Sequence, residues 1–293
     1  MRVFITGATG SIGVAVTAEL AAHGHQITAL ARSDASAARL SDLGHGVIRG
    51  DLRAPGQWAD AVLDAAAVIN LGDTFTDDMH VVDHGVVEAM RAAAAAAGRT
   101  VRLIYTGGCW MYGATGDTVA TEDSVFDTIP AYRWANRSAS SILGSSNFTA
   151  AIIHPAMVYH QGGGVFERFL TSAKAGAPAE LWGTPQTRWP LIHCEDLAVA
   201  YRLLVETPDL TGHYNASAEP GVAVGDIVTA IYAHCGCTPN MRLRSLRSAV
   251  AEHGDWAEGP FLDQQMACPR LEKDTGWRPA IPDFRASDLF GAL

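Results

Sequence analysis

The sequence predicts an α/β protein whose core is a doubly wound parallel β-sheet, followed by a small C-terminal lobe. Two observations support this fold class. Short β-branched and apolar runs alternate with helical stretches through the first half of the chain, at the spacing of βαβ units. A glycine-rich segment follows the first of these runs directly and opens a helix. Right-handed crossovers between parallel strands then give the doubly wound topology.

The first half is predicted to hold six strands joined by helices. The strands are Val3–Thr6, Gln26–Ala31, Gly46–Arg49, Ala67–Leu71, Val101–Thr106 and Thr149–His154. The helices are predicted over 11–23, 35–43, 56–65, 80–98 and 132–146. This alternation is typical of a nucleotide-binding sheet, in which ligands bind outside the carboxyl ends of the strands.

After about residue 155 glycine, proline and tryptophan become frequent, and the strict alternation stops. Short helices are still predicted over 165–175, 195–206, 224–235 and 269–275. No low-complexity linker and no internal repeat separates the two parts. We therefore expect residues 1–155 to form a dinucleotide-binding core. Residues 156–293 should form mainly a substrate-binding lobe that packs on the core and is not independent of it.

Composition and charge indicate a globular protein and argue against nucleic-acid-binding and membrane-spanning classes. The chain has 293 residues, 48% hydrophobic and 18% charged, and a formal net charge of −10. A chain of this length buries roughly 75% of its unfolded surface, so its core needs no disulfide or metal. The acidic balance argues against a nucleic-acid partner. No apolar run reaches the roughly 18 residues of a membrane span, and no signal region is evident. We expect a cytoplasmic protein with a small-molecule substrate and no membrane partner.

The five cysteines do not form a disulfide framework. Their number is odd and their positions are scattered. Cys235-Gly-Cys237 has no second pair at the spacing of a zinc site. We therefore expect reduced thiols and no metal site.

The strongest motif is the segment Thr6-Gly7-Ala8-Thr9-Gly10-Ser11-Ile12-Gly13. Gly7 would allow the tight turn after the strand, and Gly10 would let the backbone approach a pyrophosphate. Gly13 would let the helix pack closely on the strand. The phosphates then meet the helix N-terminus, whose unpaired N–H groups and dipole favour negative charge. The sequence therefore predicts a Rossmann-type dinucleotide site.

The end of the second strand bears on the choice of cofactor. NAD sites usually place an acidic residue there, whereas this chain has Ala31 followed by Arg32 and Ser33. An arginine can pair with a 2′-phosphate, so NADP(H) is favoured over NAD(H). The alternative interpretation is that Arg32 is a solvated arginine at a strand end, without a role in binding. Asp51 and Leu52 follow the third strand and are predicted to meet the adenine. Leu71 and Gly72 end the fourth and would pass beneath the ribose and diphosphate.

Further motifs resemble the short-chain dehydrogenase/reductase superfamily, in its extended and atypical branches of NAD-dependent epimerase/dehydratase-like proteins. Besides the glycine motif, these are Leu103–Gly113 (LIYTGGCWMYG), His154–Tyr159 (HPAMVY), Arg188–His193 followed by Glu195–Ala198, and Thr275–Pro279 (TGWRP). The likeness runs from Met1 to about Pro279. It implies the fold and a nicotinamide cofactor, with further cofactor contacts at Thr106, Pro155, Met157 and Val158.

The resemblance also implies a catalytic Ser/Thr, a tyrosine and a lysine in a Tyr-x-x-x-Lys frame. A phenol needs a neighbouring cation to act as acid or base at neutral pH. This chain has Gly108 at the Ser/Thr position. Tyr132 stands at a suitable spacing for the acid/base, but Asn136 replaces the lysine. The catalytic set is therefore degenerate.

Several residues of this chain could take the place of the missing catalytic set. Tyr132 is the first candidate for the acid/base, with His160 and Tyr112 as alternatives on loops that the resemblance places near the nicotinamide. A histidine titrates near neutral pH, but a loop histidine with a structural hydrogen bond is the simpler interpretation of His160. Cys109 and His193 are better explained as buried structural residues.

Aromatic residues are expected around the substrate, because aromatic walls suit an apolar or flat metabolite better than a nucleotide sugar. The candidates for the pocket are Phe75, Trp110, Trp134, Phe166 and Trp189. Core packing would explain some of them equally well. Gly162-Gly163-Gly164 is typical of a lid loop.

Three functions stay open at this point. The first is an NADP(H)-dependent oxidoreductase that reduces a carbonyl or related double bond of a small, apolar or aromatic metabolite. The second is a non-redox or internally redox epimerase, isomerase or lyase on the same scaffold. The third is a protein that senses or binds NAD(P) without catalysis. The resemblance also implies a possible homodimer through the helices at 80–98 and 132–146.

Overall fold

The structure is a computed structural model that describes residues 1–291. Its strands are β1 (Arg2–Thr6), β2 (Gln26–Ala31), β3 (Gly46–Arg49), β4 (Ala67–Asn70), β5 (Val101–Thr106), β6 (Phe148–Pro155), β7 (Met157–His160), β8 (Gly163–Gly164), β9 (Ala179–Trp182), β10 (Arg188–His193), β11 (Gly212–Ala216), β12 (Glu219–Ala223) and β13 (Met241–Arg244). Its α-helices are α1 (Ser11–Ala22), α2 (Asp34–Asp42), α3 (Met79–Ala96), α4 (Arg133–Leu143), α5 (Glu167–Lys174), α6 (Cys194–Glu206), α7 (Val224–His234), α8 (Leu246–His253) and α9 (Pro269–Thr275).

The central sheet has seven strands in the order β11-β6-β5-β4-β1-β2-β3. All the neighbours from β6 to β3 pair in parallel. The order reverses between β1 and β4, which is the switch point of a doubly wound sheet. The Rossmann-type α/β fold class is therefore confirmed, and the edge at which a dinucleotide would bind lies beyond the carboxyl ends of β1 and β4.

The chain divides into two compact units, each made of several stretches of sequence. Unit 1 comprises residues 1–107, 134–153 and 197–214, and unit 2 comprises residues 108–133, 154–196 and 215–293. Strand β11 and helix α6 from the second half of the chain thus belong largely to unit 1. A substrate-binding role for residues 156–293 stays a prediction.

Unit 1 owes its stability to apolar residues on both faces of the central strands. All four residues of β4 are buried, as expected for a central strand of a parallel sheet. One face packs on α3 through Val82, Val86 and Met90, which recur at the spacing of a helix face. The helices that cover the sheet thereby hold the strand ends in fixed positions.

Buried Arg102 joins three elements of unit 1. It is 6% exposed, and burial lowers its pKa to about 10. Its Nη2 donates to the carbonyl of Leu204 at 2.7 Å, in the last turn of α6. Its Nη1 donates to the carbonyl of Leu210 at 2.8 Å, just before β11. The side chain thus pairs one carbonyl that the end of α6 leaves without an intrahelical partner and one carbonyl of the loop that leads to β11.

The predicted elements of the first half largely agree with the structure, with one exception. The helix expected over 56–65 is instead two 3-10 helices, Pro55–Gln57 and Ala59–Asp64. Between them the indole of buried Trp58 donates to the carbonyl of Asp51 at 2.9 Å. This anchor and the Pro55-Gly56 pair leave too few residues for a regular α-helix.

Unit 2 contains two smaller sheets, in the orders β12-β10-β7-β8 and β13-β9. The four helices predicted for the second half of the chain are present as α5, α6, α7 and α9. The short strands of unit 2 and α8 did not appear in the sequence pattern. The segment 162–164, predicted as a lid loop, forms a tight hairpin in which Gly163 and Gly164 pair antiparallel with β7. Gly163 and Gly164 have φ of 119° and 60°, and a Cβ on Gly164 would lie 2.6 Å from the carbonyl oxygen of Val158.

The chain segment after α9 is held by two carboxylates of unit 2, buried Asp196 and half-buried Glu219. Asp196 accepts hydrogen bonds from the backbone N–H groups of Ala280 at 2.7 Å and Ile281 at 3.0 Å. Glu219 accepts from the N–H of Phe284 at 2.8 Å. Burial raises the pKa of Glu219 to about 7, and nearby Asp283 adds to this rise.

Glu219→Gln is expected to stabilise the protein at alkaline pH. The folded-state pKa of about 7 exceeds the ordinary 4.5, so folding disfavours the ionised carboxyl. The carboxyl therefore costs nothing below pH 4.5, and its penalty grows as pH rises through 7. Because the side chain is partly exposed, we expect a gain of only about 1 kcal/mol. Thermal unfolding at pH 5 and pH 8 measures it.

The control for this prediction is Glu258→Gln, a carboxylate of the same unit outside this contact. Glu219→Gln should raise the melting temperature relative to the parent at pH 8 and leave it unchanged at pH 5. An equal effect at both values of pH would contradict the assignment.

Within residues 1–291, no helix is both long and apolar enough to cross a membrane. The same residues include no cluster of three or more His, Cys, Asp or Glu side chains that could bind a metal ion.

Candidate functional site

The turn between β1 and α1 requires glycine at two positions. Gly7 has a φ of 74°, and a Cβ on it would lie 2.7 Å from the backbone of Leu71. A Cβ on Gly13 would lie 2.1 Å from the carbonyl oxygen of Gly7. Both distances are shorter than any contact that a real Cβ makes, so the turn, the start of α1 and the chain after β4 meet backbone to backbone.

The N-terminus of α1 is open. Gly10 is the N-cap residue and provides no side-chain hydrogen bond to the first turn. Neighbouring Gly10 and Ser11 are exposed, whereas Thr9 and Ile12 are half-buried. The first N–H groups of a helix have no partner within it, and the helix dipole makes this end positive. An anion such as a pyrophosphate therefore fits this turn without competing with a capping side chain.

The carboxyl end of β4 is tied to the same turn. The hydroxyl of Thr6 donates to the side-chain oxygen of Asn70 at 2.6 Å. The backbone N–H of Gly72 donates to that hydroxyl at 3.0 Å. A Cβ on Gly72 would lie 3.0 Å from the side chain of Leu52. Predicted cofactor residues Leu71, Gly72 and Leu52 thus surround the β1–α1 turn within unit 1.

The carboxyl end of β2 carries positive charge. Arg32 is exposed, and Ser33 caps α2 by accepting from the N–H of Ser36 at 3.1 Å. Arg49 ends β3 opposite Ala31 in the parallel register. It donates to the carbonyl of Arg32 at 3.1 Å and pairs with Asp34 at 2.9 Å. Sequence reasoning missed Arg49, which becomes visible only when the β2–β3 register is known.

Two other predicted cofactor residues also have structural partners. The carboxylate of Asp51 accepts from the backbone N–H of Arg53 at 2.9 Å, in a local turn. The hydroxyl of Thr106, at the end of β5, lies 2.7 Å from that of buried Tyr201. Pro155, Met157 and Val158 belong to unit 2, in or next to β6 and β7.

The first acid/base candidate, Tyr132, is half-buried and ends the 3-10 turn Pro130–Tyr132. Its ring centroid lies 5.4 Å from that of Trp110. Helix α4 begins one residue later, so Asn136 lies in its first turn. At Gly108 the backbone is extended, with φ of −179°, and a Cβ would meet nothing within 4 Å. The space for a serine is therefore present although the residue is not.

The two alternative candidates are engaged in hydrogen bonds. His160 ends β7, and its Nδ1 accepts from the N–H of Gly162 at 3.0 Å. Tyr112 is buried, donates to the side-chain oxygen of Asn215 at 2.7 Å, and has a pKa raised by burial. Burial also raises the pKa of the Cys109 thiol to about 12, which disfavours the thiolate that a nucleophile needs.

The aromatic residues predicted for the pocket lie in different surroundings. Phe166 is fully buried against Tyr159, with ring centroids 4.9 Å apart. Trp189 is 2% exposed, and its indole donates to the carbonyl of Pro260 at 3.0 Å. Both side chains therefore contribute to the core of unit 2.

The other three pocket candidates retain some exposure. Trp134 lies in the first turn of α4 in unit 1, and Trp110 is half-buried in unit 2. A Cβ on Gly259 would lie 2.4 Å from the ring of Trp110, so the glycine makes room for this indole. Phe75 is 85% exposed in unit 1 and has a φ of 49°, which is unusual for a residue with a side chain.

Two solved structures share the fold over nearly the whole chain. The human epimerase family protein SDR39U1, crystallised with NADPH, superposes with a TM-score of 0.78 at 21% identity and covers 97% of this chain and 96% of its own. The UDP-glucose 4-epimerase of Thermus thermophilus, in complex with NAD, gives a TM-score of 0.80 at 20% identity and covers 100% of both chains.

Sequence comparison points the same way. Uncharacterized protein YLL056C of Saccharomyces cerevisiae is 28% identical over 304 aligned positions, which include 98% of this chain and 99% of the relative. The family model described as the NAD dependent epimerase/dehydratase family matches residues 3–217. The expected resemblance is thereby confirmed, and this chain belongs to the NAD-dependent epimerase/dehydratase family.

Proposed function

We propose that this protein is an NADP(H)-dependent reductase of a carbonyl or related double bond in a small, apolar or aromatic metabolite. The observation that carries the proposal is the combination of an open α1 N-terminus with a basic edge at the end of β2. The β1–α1 turn fits a pyrophosphate, and Arg32 and Arg49 at the strand ends favour a 2′-phosphate. Related proteins of this fold were crystallised with NADPH or NAD.

Different residues of this chain would bind the cofactor and donate the proton. The N–H groups at Ser11 and Ile12, in the first turn of α1, would hold the diphosphate, and Arg32 with Arg49 would hold the 2′-phosphate. When bound, the nicotinamide supplies a hydride. Tyr132 would donate the proton that completes the reduction, because it stands at the spacing of the family's acid/base and its neighbour Trp110 provides an aromatic surface.

Arg32→Ala is expected to weaken NADPH binding roughly tenfold to hundredfold, the usual effect of losing a hydrogen bond to a charged group. NADH lacks the 2′-phosphate, so its affinity should change less than about threefold. Fluorescence titration with each nucleotide measures both. Arg39→Ala removes another exposed arginine, in the last turn of α2, and serves as the control. Equal losses for NADPH and NADH would contradict the preference.

Turnover is tested on a panel of aromatic and aliphatic ketones, enals and quinones. Tyr132→Phe should lower kcat about 10²- to 10⁴-fold and leave NADPH affinity unchanged, as expected for a general acid. His160→Ala and Tyr112→Phe test the alternatives in the same assay. Unchanged kcat in Tyr132→Phe, with loss of activity in one of the other two variants, would transfer the role to that residue.

A second function is favoured by Gly108 and Asn136, which stand where the resemblance implies a serine or threonine and a lysine. A non-redox enzyme, or a protein that only senses the nucleotide, would not need that set. Tight NADPH binding without oxidation on any member of the panel would support this second function over the reductase.

A further inference from the structure

Arg168 is a largely desolvated cation in the first turn of α5, within unit 2. Its guanidinium carbon lies 4.6 Å from the ring centroid of Trp182, 4.7 Å from that of Phe169 and 5.6 Å from that of Trp189. The residue is half-buried. Its Nη2 atom is buried and, within residues 1–291, has no hydrogen-bond partner. The guanidinium is thus framed by aromatic rings, and its buried Nη2 group meets no acceptor in the described part of the chain.

No carboxylate of residues 1–291 lies within ion-pair distance of Arg168. Glu180 acts on it electrostatically but is already committed to other donors. It accepts from the indole of Trp182 at 2.9 Å and from Arg244 at 2.9 Å, and it pairs with Arg242 at 3.1 Å. Burial lowers the pKa of Arg168 to about 10, so the group still carries its charge at neutral pH.

Arg188, another arginine of unit 2, has the carboxylate partners that Arg168 lacks within residues 1–291. Arg188 forms a two-pronged pair with Asp263, at 2.9 and 2.6 Å, and a further bond to Asp117 at 3.1 Å. A charge that is removed from water is costly unless it is paired and hydrogen-bonded. Aromatic faces offset part of this cost at Arg168, but they offer no acceptor in the plane of the guanidinium.

We propose that Arg168 and the aromatic rings around it form a binding site for a carboxylate carried on a flat or apolar body. The planar fork of an arginine matches the two oxygens of a carboxylate. A monoanion is favoured over a phosphate dianion, because the site has one unpaired cation, Glu180 lies nearby, and the chain carries a net charge of −10.

Neighbouring rings suit the body of such a ligand. Trp182 lies with its ring centroid 5.8 Å from that of Trp256 and 5.0 Å from that of His253. Trp256 is 39% exposed, which is high for such a large apolar side chain. An aromatic surface therefore extends from the rings around the Arg168 guanidinium, through Trp182, to partly exposed Trp256. Stacking on this surface would add to the binding of a flat ligand.

The test compares benzoate with benzamide, which has nearly the same shape but no charge. Binding is measured by calorimetry at constant ionic strength and without nicotinamide nucleotide, so the result is independent of the proposed function. We expect saturable benzoate binding, and benzamide binding at least about tenfold weaker. Arg168→Met should weaken benzoate binding by at least about tenfold, and Arg168→Lys should give an intermediate loss, since it keeps the charge without the fork.

Arg285→Met is the matched control. Arg285 also lies over an aromatic ring, 4.4 Å from the centroid of Phe284, but it pairs with Asp283 at 3.4 Å. Its loss should leave benzoate affinity unchanged. Equal binding of benzoate by the parent and Arg168→Met, equal binding of benzoate and benzamide, or tighter binding of inorganic phosphate than of benzoate would each overturn the proposal. Arg168→Lys keeps the test decisive if Arg168→Met fails to fold.

Discussion

Gly13→Ala is expected to abolish NADPH binding and to destabilise unit 1. The new Cβ would lie 2.1 Å from the carbonyl oxygen of Gly7 and 2.8 Å from the backbone of Ala8. Neither contact can be relieved by turning a side chain, so α1 must move away from β1. Overpacking of this kind costs about 2 kcal/mol or more, and the shift removes the helix N-terminus from the phosphates. Nucleotide titration and thermal unfolding measure the two effects.

Substitutions at two other glycines distinguish the loss of nucleotide binding from the loss of stability. A Cβ on Gly10 would lie 3.4 Å from the carbonyl oxygen of Gly7, so Gly10→Ala should fold normally and still lose affinity where the pyrophosphate approaches. Gly85 lies in α3 with nothing within 4 Å of its Cβ, so Gly85→Ala should bind nucleotide normally. Parent-like NADPH binding in Gly13→Ala would refute the site itself.

Arg102→Met is expected to lower the free energy of unfolding by about 3 kcal/mol. The substitution keeps the apolar stem but leaves the carbonyls of Leu204 and Leu210 without their donor. A buried polar group that loses its partner costs about 1–3 kcal/mol, and two carbonyls are affected here. Urea unfolding followed by circular dichroism measures the shift in midpoint.

Arg99→Met is the control for this prediction. Exposed Arg99 also donates to a backbone carbonyl of unit 1, that of Leu63, but water can replace this bond. Its loss should cost less than about 1 kcal/mol. Similar midpoints for the two variants would show that Arg102 does not hold the end of α6 as described.

The sequence predicted the parts of the fold that depend on local patterns. The strands Gln26–Ala31, Gly46–Arg49 and Val101–Thr106 agree with the structure residue for residue, since each is a short run that contains β-branched residues. The glycine motif was equally informative, because a strand, a tight turn and a helix must follow one another at fixed spacing. In these segments the residue pattern along the sequence and the observed secondary structure agree.

The parts that sequence could not supply depend on contacts between distant residues. Arg49 became a candidate only through its register opposite Ala31. Trp189 and Phe166 could not be assigned to core or pocket from composition, because an aromatic side chain is equally suited to both. The unpaired state of Arg168 likewise depends on where Glu180 and its partners lie, which no local spacing indicates.

The route of the chain through unit 1 limits how this protein could diversify by recombination. Strand β6 is followed in sequence by residues of unit 2 before the chain returns through α6 to β11, which completes the sheet beside β6. A crossover near residue 155 would place β6 beside a strand from another sequence, and an incoming half without a matching strand would leave unpaired N–H and C=O groups at that edge, which promotes aggregation. New specificities in such an architecture are therefore more accessible through substitutions and loop insertions than through exchange of a whole C-terminal half.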